Sequence, residues 1–192
     1  MAECLSEKVS KVEPRRSAGT ANEQRDPAAP QRDWERGVER VTRHFEGLDP
    51  EQRSAVADLT AKLKRVKAQM QQIAEQGDGA DQCADCQGAC CAKGRYHFTA
   101  ADLLAYLVDV VPLFAPRFDN GMCPFLGDAG CLIPAPYRPF NCITFNCDRI
   151  EGRLPAPEVA RFYQLERELR DLYRTLRSRF DESFMSRSIL EL

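Results

Sequence analysis

The chain has little that would announce a familiar activity. It is 192 residues long and carries two histidines, one tryptophan and a formal net charge of -2. So small a charge argues against a nucleic-acid or membrane-surface partner, and no stretch interleaves basic with aromatic residues as nucleic-acid binders do. Nowhere do 18 apolar residues run together, so no membrane span is expected. Residues 1–16 lack an apolar run of signal-peptide length, which leads us to expect a cytoplasmic protein. No glycine-rich nucleotide-binding loop is present. The paired acidic groups of general acid–base catalysis are missing beside the cysteines, except Asp85 and Asp128, which read as turn formers. Whether the chain is an enzyme is left open.

Cysteine, by contrast, is abundant. There are nine, and Cys83, Cys86, Cys90 and Cys91 fall within nine residues. Cys123, Cys131, Cys142 and Cys147 follow. A reducing compartment and an odd count argue against structural disulfides. A core has no use for thiols at this density, whereas zinc and iron–sulfur clusters are held by thiolates. A C-x2-C pair such as Cys83 and Cys86 turns two sulfurs toward one ion. Adjacent side chains diverge, so Cys90 and Cys91 are expected to serve two metals or two roles. Cys147 fits either a ligand or a bystander. The cofactor expected is zinc or iron, the latter also as a 4Fe–4S cluster. His97 is a candidate substitute ligand, though a surface or capping role is the commoner one. His44 reads as a surface or partly buried residue, and Cys4 as an inert thiol. Lys93, Arg95, Arg138 and Arg149 lie near the cysteines in sequence, as compensating cations or as plain surface.

Around this block the pattern is helical, and the fold class expected is mainly α: long helices flanking an irregular cysteine-rich metal-binding core. Residues 1–30 are poor in large apolar side chains and are expected as a disordered tail. A helical hairpin is expected over 31–78. Its first arm places Trp34, Val38, Val41, Phe45 and Leu48 on one face. Asp49 and Pro50 are start signals for the second, along which Val56, Leu59, Leu63, Val66, Met70 and Ile73 form a heptad-like seam. The intervening Lys, Arg, Gln and Glu read as a wet face. Residues 79–154 form the metal-binding region, with a short helix capped by Thr99. Its many Gly and Pro residues lead us to expect a region without a core of its own, folding only with metal. A helix in 155–184 carries Phe162, Leu165, Leu169, Leu172 and Leu176, and its seam is expected on the helix that starts at Pro50. Its six arginines alternate with acids and read as a salt-bridged outer face. Residues 185–192 are expected as a tail.

One resemblance stands out. Cys83-x2-Cys86-x3-Cys90-Cys91, then Cys123-Pro124-Phe125-Leu126, Cys131-x-Ile133 and Arg138-Pro139-x2-Cys142 resemble the YkgJ-like cysteine-cluster family, the zinc- or iron-chelating CxxCxxCC domain. Thr99-x2-Asp102 resembles the Thr and Asp of that family at the same place. The match spans about residues 83–147. The chain departs from the pattern by three residues rather than two between Cys86 and Cys90, by Pro134, by one extra residue before Arg138, and by Ile143 after Cys142. The resemblance implies metal chelation at these cysteines. The function expected is therefore a metal-binding structural or interaction module, with a protein partner docked on the helical seams as a further expectation. An iron–sulfur redox enzyme or accessory domain, and a metal carrier or sensor, are the alternatives.

Overall fold

The structure is a computed structural model that describes residues 26–85, 89–119, 123–128 and 130–192. The segment 1–25, including Cys4, lies outside these residues, as does Cys86. The chain is mainly helical, as the periodicities imply, with one two-stranded sheet among the described residues. No helix of the described residues is long and apolar enough to cross a membrane.

Helix α1 spans Ala29–Glu46 and begins within the stretch expected as a tail, with a proline in its first turn. Helix α2 spans Pro50–Gln76. Its start is fixed by a reciprocal cap: Gln52 N–H donates to Asp49 Oδ1 at 2.8 Å, and Gln52 Oε1 accepts from Asp49 N–H at 3.1 Å. All six seam residues of α2 are buried. Helix α3 (Gly79–Asp85) follows at once; Asp78, with φ at 56°, makes the bend between the two helices. A 3₁₀ helix, Ala89–Tyr96, leads to α4, Ala100–Asp109. Strands β1 (Leu126–Gly127) and β2 (Gly130–Cys131) pair antiparallel, with Leu126 opposite Cys131. Short helices α5 (Phe140–Thr144) and α6 (Asp148–Glu151) precede α7, Ala156–Ser178, and α8, Glu182–Ser186.

Helix α2 is the central beam. Helix α7 packs along it, as the seams predict, and α4 packs on both α1 and α2. The hairpin expected over 31–78 is thus opened, with α4 bridging its two arms. Because α2 is covered on more than one side, its buried arc is wider than a heptad seam. Lys67, assigned to a wet face by pattern, is 2% exposed, and Thr60 beside the seam is 0% exposed. On α7 the fourth buried position is Tyr173, while Leu172 is only half-buried.

Lys67 is tolerated inside because it meets a carboxylate. Its Nζ lies 3.8 Å from Asp102 Oδ1, in the first turn of α4. Asp102 also accepts from Thr99 N–H at 3.0 Å and from the Thr99 hydroxyl at 2.7 Å, and it accepts from the Tyr173 hydroxyl of α7. Burial lowers the Lys67 ammonium to about 8, opposed by the negative charges of Asp102 and Cys142.

The cysteine-bearing region contributes apolar side chains to the one hydrophobic core it shares with the helices, where the sequence led us to expect none. Phe98, Phe114 and Phe125 stack with Trp34 of α1, ring centroids 5.4–5.7 Å apart. Ile133, Ile143 and Ile150 are buried as well. The glycines and prolines that suppress regular structure leave these apolar side chains free to pack. The segment 185–192, expected as a tail, is a strap. Ile189 N–H donates to Phe98 O at 2.9 Å, Ala100 N–H donates to Arg187 O at 3.1 Å, and Met185 and Ile189 are fully buried. The strap crosses α1 at Gly37, where a Cβ would sit 2.0 Å from Ile189 O.

Two substitutions test this framework. Asp102→Ala strands Lys67 in the interior and is expected to cost about 3–5 kcal/mol in urea unfolding, whereas Lys67→Met costs far less because Asp102 keeps Thr99 and Tyr173. Gly37→Ala forces the strap off α1 and is expected to destabilise by about 1–3 kcal/mol, with faster amide exchange confined to 185–192.

Candidate metal centre

The site is built from three short segments hung on α2 and α4. The first is the 3₁₀ helix Ala89–Tyr96, which carries Cys91 and ends next to His97, whose N–H donates to Gly94 O at 3.0 Å. The second is the turn from Cys123 through β1 and β2. Leu126 N–H closes it on Cys123 O at 3.0 Å, and Gly130, with φ at +118°, supplies the bend that returns the chain to Cys131. The third is α5, which carries Cys142. The approach to α5 is pinned to α2: Arg138 Nη1 donates to Gln71 Oε1 at 2.9 Å and Arg138 Nε to Ile133 O at 3.1 Å. Nearby, the Tyr137 hydroxyl donates to Asp109 at 2.6 Å, and Lys64 pairs with the same carboxylate. Arg138 thus anchors the loop rather than compensating thiolates.

These segments bring thiols together. Burial pushes the Cys142 thiol well above the ordinary range, and negative charge on Cys131, Cys123, Asp102 and Cys91 pushes it further. Burial also raises Cys123, with Cys131 adding to it, while the Phe125 backbone N–H favours its thiolate. Cys142 therefore lies within electrostatic reach of Cys91, Cys123 and Cys131, and Cys123 within reach of Cys131. Cys123 is buried, Cys91 and Cys142 are half-buried, and Cys131 is exposed. Cys123 Sγ rests on Gly94, where a Cβ would approach it to 2.9 Å. Cys142 Sγ lies 3.4 Å from His97 Nδ1. Burial lowers the His97 imidazole, with Asp102 opposing.

The remaining candidates sit at the margin. Cys83 is exposed on α3, which lies against both β2 and α6. Cys147 is half-buried and caps α6 through its carbonyl, which accepts from Ile150 N–H at 2.9 Å. Cys90 belongs to the 3₁₀ helix, but its side chain lies outside the described residues, as does all of Cys86. Asp85 ends α3, and Asp128 stands in the hairpin turn, where Arg117 Nη1 donates to it at 2.7 Å. His44 is half-buried against Phe180 and Phe184, remote from this site in its packing. Cys123, Cys131, Cys142 and Cys147 form no disulfide. Among the described residues no three His, Cys, Asp or Glu side chains stand close enough to share one ion.

The surroundings suit a thiolate centre. The Tyr106 hydroxyl is buried without a hydrogen-bond partner; burial holds it protonated, and negative charge on Cys131 adds to this. Arg95 Nε is likewise buried and unpartnered. The Arg95 guanidinium lies over the rings of Tyr96 and Phe118. Residue patterns could not reveal Tyr106, Tyr173 or Lys67, because each is named by packing rather than spacing. Gly94, three residues past Cys91, carried the one readable signal. Two clefts lie elsewhere: one of about 200 Å³ is lined by Phe140, Arg170, Tyr173, Arg174, Arg177 and Glu182, the other by residues of α6 and α7, and no cysteine lines either. Comparison with known proteins returns no family model, curated protein or solved structure that matches the chain.

Gly94→Ala places a methyl against the Cys123 sulfur. The expected result is a loss of about 1–3 kcal/mol and faster alkylation of Cys123, read by mass spectrometry of the intact fold.

Proposed function

We propose that the chain is a metal-binding module in which clustered thiolates chelate zinc or iron, the latter also as a 4Fe–4S cluster, with a structural or interaction role. The observation that carries this reading is that Cys123 and Cys142, from two other segments, close on the stretch that follows Cys91: Cys123 Sγ rests on Gly94 and Cys142 Sγ lies 3.4 Å from His97 Nδ1. Thiols are gathered that way at a cost. Burial penalises their charged form, and each thiolate repels the others. A soft or borderline cation removes both penalties at once. The unpartnered Tyr106 hydroxyl, within reach of negative charge on Cys131, supports the same reading, and so does the likeness to the YkgJ-like cysteine-cluster motif.

In this reading Cys123, Cys131 and Cys142 are ligands, together with Cys83 and Cys86 of the C-x2-C pair. Cys90 and Cys91 divide between two sites or two roles, and Cys147 stands at the edge. A bound metal supplies a cross-link between three loops that share few backbone hydrogen bonds.

Metal analysis of anaerobically purified protein tests the proposal. Stoichiometric zinc in a colourless protein, or iron with acid-labile sulfide in a brown one, is the expected outcome; protein free of both overturns it. Cys142→Ser or Cys131→Ser should lower metal content and forfeit a large part of the roughly 10–16 kcal/mol that a structural zinc site supplies, while Cys4→Ser leaves content unchanged. Chelation should expose 89–97, 123–131 and 140–147 to protease and leave α2 and α7 resistant.

A further inference from the structure

The cleft on the far side of α7 gathers positive charge. Arg170, Arg174 and Arg177 recur at intervals of four and three, so they share one face of the helix. All three line a cavity of about 200 Å³, together with Phe140 of α5, Tyr173 and Glu182 of α8. For two of them the salt-bridged outer face expected from the sequence holds: Arg170 pairs with Glu166, and Arg174 Nη1 donates to Asp171 Oδ1 at 2.8 Å. Arg177 departs from that pattern. Its Nε is buried without a hydrogen-bond partner. Among the described residues no carboxylate pairs with it, although Glu182 lines the same cavity.

We propose that this cleft binds a small phosphate monoester, with Arg177 as the seated donor and Arg170 and Arg174 as exposed arms. The proposal stands apart from the metal-binding reading and does not depend on it.

The seat is aromatic. Arg177 Cζ lies 5.4 Å from the centroid of the Tyr173 ring and Arg170 Cζ 5.6 Å from that of Phe140, and the two rings meet edge to face at 5.6 Å. Tyr173 is itself fixed, since its hydroxyl donates to Asp102. A guanidinium stacked on a ring keeps its in-plane N–H groups for an acceptor, and that planar fork matches phosphate oxygens. The negative end of α7 accounts for a cation in its last turn, but not for an N–H left unpaired.

Charge and size narrow the ligand. The lining carries three guanidiniums against one carboxylate. The outer acids, Glu166 and Asp171, are surface partners of small worth, and each takes only one terminal nitrogen. A phosphate monoester brings about -1.5 to -2 charge and three strong acceptor oxygens, where a carboxylate brings a single charge and two oxygens. The cavity is smaller than the roughly 300–1,000 Å³ of sites for drug-sized ligands, which fits a phosphoryl group on a short substituent and excludes a nucleotide.

The test titrates the full chain at low ionic strength with phenyl phosphate and follows the arginine Nε–H signals by nitrogen-15 NMR; the Arg177 signal is the one missing in Arg177→Lys. It should move and saturate, with a dissociation constant below about 1 mM. Benzoate, the carboxylate of the same ring, should bind at least about 10-fold more weakly. Arg177→Lys keeps the charge but not the fork and should cost about 10- to 100-fold in affinity, while Arg161→Gln, on the same helix outside the cleft, leaves it unchanged. No saturable shift overturns the proposal. So does benzoate binding as tightly as phenyl phosphate, or an equal loss in Arg161→Gln, which reduces the effect to the general charge of the helix. Should Arg177→Lys not fold by circular dichroism, Glu182→Gln decides: removing the one carboxylate of the lining should tighten phenyl phosphate severalfold, and unchanged or weaker binding rejects the site.

Discussion

The carboxylate of Asp102 is the point on which the rest depends. It closes the cap of α4 through Thr99, accepts the Tyr173 hydroxyl from α7, and lies beside the ammonium of Lys67 from α2. Three helices remote in sequence are thereby fixed in register at one buried point. A hydrophobic contact is forgiving about register, since apolar surface gains by burial in many alignments. A buried charge is not, because one residue's slip leaves it without partners. The same charge reaches Cys142 and His97, so the group that orders the scaffold also sets the electrostatics of the site.

Around that point the molecule separates into a scaffold and a layer of loops. Aromatic packing of Trp34, Phe98, Phe114 and Phe125 underlies the cysteine segments, and the strap at 185–192 binds this cluster to α1 and α4. The loops then need only local devices: Arg138 on Gln71, Tyr137 on Asp109, Arg117 on Asp128. None of these is large alone, and Arg117 to Asp128 is a surface pair of small worth. Their effect is to limit where each thiol can sit.

Much of the scaffold was legible in the sequence. The Asp49-Pro50 start of α2, the seam from Val56 to Ile73 and its pairing with α7 follow from period and capping chemistry, which act within a few residues. The bridging of α1 and α2 by α4 was not legible, and neither was the burial of Lys67, because a heptad seam reports one covered face and α2 has more. The choice of Tyr173 over Leu172 was hidden for a related reason: its hydroxyl is spent on Asp102, a partner 71 residues away. The strap was missed because eight residues are too few to show a period. For the site, spacing singled out the cysteines and raised His97. It could not say which thiols approach one another, since that depends on the turn at Gly130 and the close contact at Gly94.

The thiols and the scaffold pull in opposite directions. Burial and the charge of Asp102 disfavour thiolate at Cys142, and a scaffold built only for apolar packing would place valine or alanine there at less cost. The Tyr106 hydroxyl is buried beside the site with no partner, a second small penalty that apolar packing would avoid by phenylalanine. Under the metal-binding reading proposed above, a cation would offset the first penalty by neutralising the sulfurs that Asp102 repels. On that reading the site opposes the fold without an ion and reinforces it with one.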